Sequence, residues 1–208
     1  MSIGISCQGI VDNTHSIFTR FHFCDDFSNV NLKEILESQD IEVIMTREED
    51  NDLAKTSTNF KASDMKERVS LIQKSNADLV ISIHQNSYTD PAVYGAQCFY
   101  HADSAESKEL ASSIQNQIIT STNQTKIREI KSNNDYYLLK HSPLPTVIVE
   151  CGFLSNPKEE QLLLTETYQR KMAWAIHLGI LQYLTQDGYR IITVAELAER
   201  LKLGYSVE

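Results

Sequence analysis

Two short segments carry residues able to do chemistry. In Ile81-Ser82-Ile83-His84-Gln85-Asn86-Ser87 a short apolar run gives way to a histidine. A histidine one step past a buried strand projects into a crevice, and neutral imidazole is the commonest zinc ligand. In Val147-Ile148-Val149-Glu150-Cys151-Gly152-Phe153-Leu154-Ser155-Asn156 a carboxylate follows four strand-forming residues, Thr146 to Val149. Burial raises a carboxyl pKa toward the range useful for proton transfer near neutral pH. A metal-ligating imidazole and such a carboxylate together suit metal-assisted hydrolysis. The carboxylate takes a proton from water and later delivers it to a leaving amine. Each residue also has a plainer reading. His84 can be a strand-end histidine bonded to backbone, and Glu150 can sit in a structural ion pair or cap the next helix. The residues alone leave both readings open.

The elements that must position these two residues follow from periodicity. Leu32, Ile35 and Leu36 have helical spacing, and Ile41–Thr46 is β-branched and strand-like. Glu48–Asp52 reads as an acidic, solvated loop. Met65, Val69, Leu71 and Ile72 mark a second helix, with Ser63-Asp64 as its N-cap. Asp78–His84, Gly95–Tyr100 and Thr146–Glu150 read as strands. Glu106–Ile119 and Tyr168–Leu184 read as helices. Strands alternating with helices imply βα units. The expected fold is α/β: a single domain, a mostly parallel twisted sheet with helices on both faces, plus a C-terminal helix. Ligands of such sheets bind beyond the carboxyl ends of the strands, which gives His84 and Glu150 their weight. The domain is expected over 1–185, with 1–28 atypical. An extension over 186–208 holds one helix, Thr193–Lys202, with Thr193 as N-cap and Glu196 in the capping-box position.

Composition narrows the function classes. The 208 residues carry 19 Lys+Arg against 28 Asp+Glu, a net charge of −9. That balance argues against nucleic acid, whose phosphates demand clustered cations. The longest uncharged apolar stretch, Met172–Leu184, is 13 residues, too short for a membrane span. The start MSIGISCQGIVDN shows no basic region, apolar core or cleavage site of a signal peptide. Cys7, Cys24, Cys98 and Cys151 form no C-x-x-C pair, and Cys98 and Cys151 read as buried thiols. No G-x-G-x-x-G or P-loop is present, which weighs against a nucleotide enzyme.

ISIHQNS (81–87) together with VECGFLSNPKEE (149–160) resembles the zinc-dependent N-acetylmuramoyl-L-alanine amidases of the family-3 type. The flanks agree: Ile44-Met45-Thr46-Arg47, Glu67-Arg68 followed by Asn76-Ala77-Asp78-Leu79, Gly95–His101, and Tyr137-Leu138-Leu139 before Pro145. The resemblance runs from about residue 30 to 184. Cys151 and the strand around it resemble the spore-cortex, germination-specific branch. The resemblance implies that His84 is a zinc ligand and Glu150 the catalytic general base. It implies cleavage of the amide between N-acetylmuramic acid and L-alanine in peptidoglycan. It further implies action outside the cytoplasm, at the cell wall, and leaves room for an accessory protein. An amide is a poor electrophile, so a Lewis acid and activated water are both needed.

One departure bears on the metal. The family opens with a strand and D-P-G-H-G-G, whose histidine is a ligand, and a glutamate some fifteen residues later is another. Counting back from Leu32, these fall near Gln8 and Phe21, and neither matches. His15, His22, Asp25 and Asp26 are the donors available to replace them. Zinc sites normally take three or four protein ligands. The alternative to an active amidase is therefore a catalytically impaired amidase fold that binds peptidoglycan or a partner.

Overall fold

The computed structural model describes residues 2–7, 41–46, 53–55 and 58–186. Six strands form one sheet: β1 (Ser2–Cys7), β2 (Glu42–Met45), β3 (Leu79–Asn86), β4 (Gln97–Tyr100), β5 (Lys131–Ser132) and β6 (Thr146–Phe153). Their order is β2-β1-β3-β6-β4-β5. The first four in that order are mutually parallel, while β4 runs antiparallel to β6 and carries β5 parallel to itself. The described helices are α1 (Phe60–Lys74), α2 (Ala105–Thr122), α3 (Tyr137–His141), α4 (Pro157–Leu163) and α5 (Glu166–Gln186).

The central strands β3 and β6 are almost entirely buried, and this explains their near-continuous apolar runs. Successive side chains alternate between faces. Leu79, Ile81 and Ile83 join Val147, Val149 and Cys151 in the main core, with Leu110, Ile114 and Ile118 of α2 and Met172, Ile176 and Ile180 of α5. Val80 points the other way, onto Val69 and Ile72 of α1 and Leu138 of α3. Ile148 does the same, with Phe99 and Leu139. Helices thus cover both faces, as the βα pattern implied. The alternation also places Ser82, His84 and Glu150 on the face covered by α1 and α3.

Several elements differ from the sequence reading. β1 was not apparent from periodicity, yet it pairs with β2 on one edge and β3 on the other. Its alternation of isoleucine with serine and glycine is too short to stand out, so pairing, not pattern, defines it. The helix expected to start at Ser63-Asp64 begins at Phe60, with Asn59 as N-cap in the left-handed region (φ 62°). Asp64 is an interior helix residue, buried against Arg68 four residues on. β3 and β6 run two and three residues past His84 and Glu150. The helix expected around Leu32–Leu36, the loop Glu48–Asp52 and the helix Thr193–Lys202 lie outside the described residues. Among the described residues, no helix is long and apolar enough to cross a membrane.

α2 and α5 approach so closely that only glycine fits at one crossing point. A Cβ on Gly179 would lie 2.4 Å from Ile114 Cα and 2.9 Å from Ile114 N. Backbone cannot yield as a flexible side chain can, so the helices must move apart. Gly179→Ala is therefore expected to lower stability by about 3 kcal/mol. Urea unfolding checks this, and a variant as stable as the parent would contradict the packing.

Candidate functional site

His84 and Glu150 face each other across the β3–β6 pair, as direct partners in its parallel register. Just beyond them the register slips: Asn86 pairs with Phe153, so β6 spends one more residue than β3. Such an irregularity re-aims side chains and ends regular pairing. The two residues stand on one face, at the carboxyl end of two parallel strands, where the α/β rule places a ligand.

Glu150 is 7% exposed, and its Oε2 is buried without a hydrogen-bond partner. Burial pushes its carboxyl pKa up to about 7. It stands inside a strand rather than at a helix start, and no ion pair among the described residues includes it. Among the described residues, neither an ion-pair partner nor a helix start stands at Glu150. His84 is half-buried, and its Nε2 shares a 2.7 Å hydrogen bond with Ser82 Oγ, two residues back on the same face. A side-chain hydroxyl thus holds the ring.

Both residues line a cavity of about 310 Å³, together with Lys61, Met65, Arg68, Tyr136 and Tyr137. Arg68 is 2% exposed, but its charge is already engaged. Its Nε donates to Asp64 Oδ2 at 2.7 Å and one terminal nitrogen to Thr46 Oγ1 at 3.1 Å. Asp64 Oδ1 also accepts the Leu53 N–H at 2.9 Å. This pair neutralises the cation on the cavity wall, consistent with a Glu150 shift that comes from desolvation. The Tyr136 ring packs edge-on to Phe99, and its phenol pKa is raised by burial and then by the Glu150 charge. Cys98 lies on the opposite face, in the main core. Burial and the Glu150 charge push its thiol up, so it is no thiolate nucleophile.

Sequence reasoning missed the residues that hold this strand end in place. Glu159 of α4 accepts the Phe153 N–H at 2.8 Å and the Gly95 N–H at 3.0 Å. Asn156 caps α4 by accepting from Lys158 N and Glu159 N, and it donates to Pro91 O at 2.8 Å. Ser155 Oγ accepts the Tyr88 N–H at 2.9 Å. These bonds tie the end of β6 to the ends of β3 and the approach to β4, whose Gln97 pairs with Glu150. The available signal was Asn156-Pro157, a helix start, with an acid three residues after the asparagine.

Among the described residues, no group of three or more His, Cys, Asp or Glu side chains is placed to hold a metal ion. The His84 imidazole, a possible metal donor, stands beside the unpartnered Glu150 oxygen. β1 ends at Cys7 opposite Ile83, the residue before His84. Gln8, Phe21, His15, His22, Asp25 and Asp26 lie outside the described residues.

The chain is similar to known amidases over most of its length. The family model for N-acetylmuramoyl-L-alanine amidase matches residues 26–182. The germination-specific N-acetylmuramoyl-L-alanine amidase of Bacillus subtilis (strain 168) is 40% identical over 161 residues, covering 76% of this chain and 68% of that protein. The CwlD amidase of Clostridioides difficile, solved in complex with the GerS lipoprotein, has a TM-score of 0.76 at 37% identity. That alignment covers 89% of this chain and 99% of the other. The catalytic domain of CwlV, an N-acetylmuramoyl-L-alanine amidase from Bacillus (Paenibacillus) polymyxa var. colistinus, has a TM-score of 0.68 at 25% identity, covering 89% and 99%.

The buried carboxyl makes stability depend on pH. Folding raises the Glu150 pKa from 4.5 to about 7, so between those values the folded chain holds a proton that the unfolded chain has released. Stability from this group is present below the unfolded pKa and is lost as pH rises through the folded one. In chelator-treated protein, Glu150→Gln is expected to remove that loss. It should exceed the parent at pH 8 by about 2–3 kcal/mol, with little gain at pH 4. Urea unfolding at the two pH values checks this, and identical pH slopes would contradict it.

Proposed function

The chain belongs to the N-acetylmuramoyl-L-alanine amidase family, and from that premise we propose how its residues cleave peptidoglycan. Glu150 is the general base. It takes a proton from the water attacking the amide carbonyl between N-acetylmuramic acid and L-alanine, and returns it to the leaving amine. The observation that carries this reading is the buried Glu150 carboxylate, with a pKa near neutrality and an unpartnered oxygen beside His84. A base of that pKa can both accept and release a proton at neutral pH.

Members of this family are generally zinc-dependent. The described residues fit part of a zinc environment: the His84 imidazole is a suitable donor, and the buried Glu150 carboxylate stands beside it to act on water. In this reading His84 is a ligand, Ser82 orients its ring, and the remaining donors come from the first thirty residues. When bound, zinc supplies Lewis acidity, polarising the carbonyl oxygen and making water acidic near neutral pH. The Arg68–Asp64 pair keeps the wall rigid without drawing down the Glu150 pKa. Tyr136 and Tyr137 supply an apolar side against which substrate excludes water.

In this reading the activity lies at the cell wall, outside the cytoplasm, and the germination-specific relative supports a role in germination. An accessory protein fits this reading too, because the CwlD relative was solved with a lipoprotein.

Two variants test the assignment together. The purified parent should hold about one zinc per chain after mild dialysis, since a catalytic site binds one ion. His84→Ala should lose the zinc. Glu150→Gln should keep it while peptidoglycan hydrolysis falls about 10²–10⁴-fold. A parent with neither zinc nor activity would overturn the reading and leave an impaired amidase fold that binds peptidoglycan or a partner.

A further inference from the structure

The polar side chains around the cavity of His84 and Glu150 are differently committed. Arg68 is bonded to Asp64 and Thr46, and Ser82 Oγ is bonded to His84. Lys61 is exposed, in the first turn of α1. Tyr137 packs toward α1, with Val69, Ile72 and Leu138, and its ring centroid lies 4.2 Å from that of His141. Tyr136 differs from all of these. Among the described residues its phenol oxygen makes no hydrogen bond, although the ring that carries it is held in place.

Three contacts hold that ring. It packs edge-on to Phe99, with centroids 5.6 Å apart. Asn133 Oδ1 accepts the Tyr136 N–H at 2.9 Å, and the Tyr136 carbonyl accepts the Lys140 N–H at 3.0 Å in the first turn of α3. Phe99 pairs with Ile148, and Ile148 lies two residues before Glu150 on the same face of β6. The phenol therefore stands by the strand end that carries the base. It is near enough for the Glu150 charge to add to burial in raising its pKa. Such a phenol keeps its proton at neutral pH and acts as a donor, not as a base.

A fixed neutral donor needs no reorganisation when charge appears beside it. In amide hydrolysis that charge grows on the carbonyl oxygen as water adds to the carbon. We propose that the Tyr136 hydroxyl is a catalytic hydrogen-bond donor to that oxygen. The proposal rests on the amidase reading. The water oxygen bonds to the carbonyl carbon, the carbon–nitrogen bond breaks, and the proton taken by Glu150 goes to the leaving nitrogen. Tyr136 keeps its own proton throughout. Its ring forms part of the apolar wall, and its hydroxyl is the polar atom which that wall offers to the substrate.

Tyr136→Phe in the full chain, purified with its metal, tests this while keeping the ring against Phe99. On peptidoglycan, kcat is expected to fall about 10²-fold, as for the loss of one oxyanion donor, with KM and metal content unchanged. A phosphinate analogue of the scissile amide carries tetrahedral oxygens in place of the charged intermediate. It should bind the variant about 10²-fold more weakly than the parent. A kcat within about twofold of the parent, or a raised KM at unchanged kcat, overturns the proposal. Unchanged phosphinate affinity overturns it too, as does loss of metal from the variant, which makes the effect indirect. Full hydrolysis by Glu150→Gln would instead overturn the assignment of the base, whatever Tyr136→Phe does.

Discussion

The β3–β6 pairing is the constraint on which everything else depends. Two parallel strands, covered on both faces, bring His84 and Glu150 opposite each other and bury the carboxylate. The apolar cover contributes most of the stabilisation, at about 25 cal/mol per Å² removed from water. The same cover makes the charged form of Glu150 expensive. A residue that weakens the fold at high pH is the residue best suited to move protons at neutral pH, because desolvation causes both effects.

That arrangement needs rigid walls that do not cancel it. A cation aimed at Glu150 would restore an ordinary carboxylate pKa and remove its value as a base. Arg68 is close enough to line the cavity, yet Asp64 and Thr46 engage its guanidinium. Pairing a buried arginine within its own helix turns a potential perturbation into a fixed wall. At the other end of the strand, Glu159 accepts two backbone N–H groups, so its charge is absorbed where the register slips. Both carboxylates are tied to partners, and among the described residues Glu150 is the buried acid with an unsatisfied oxygen.

The two cavities divide the molecule's polar work. One holds the proton-transfer residues between β3, β6, α1 and α3. The other is lined by Tyr94, Gly95, Lys126, Lys158 and Glu159 near the end of β6. Glu159 connects them, lining the second cavity while anchoring the strand that carries Glu150.

Much of this was legible in the chain itself. The apolar runs ending near His84 and Glu150, the helical spacing of Leu110, Ile114 and Ile118, and the segment from Glu150 to Asn156 pointed to an α/β amidase domain. Such signals are local: strand and helix periods are written within a dozen consecutive residues. Some features had no local signature. β1 emerged from its pairing on two edges, and the start of α1 shifted because Asp64 prefers the buried Arg68 to a capping position. The Glu159 anchor joins Gly95 to α4 across 64 residues. The sequence by itself determined which residues could do chemistry and which elements would carry them. Only the tertiary structure decided that Glu150 is buried with no ion-pair partner among the described residues and that Arg68, engaged by Asp64, leaves its pKa raised. Desolvation and charge compensation depend on neighbours brought together by folding, not on neighbours along the chain.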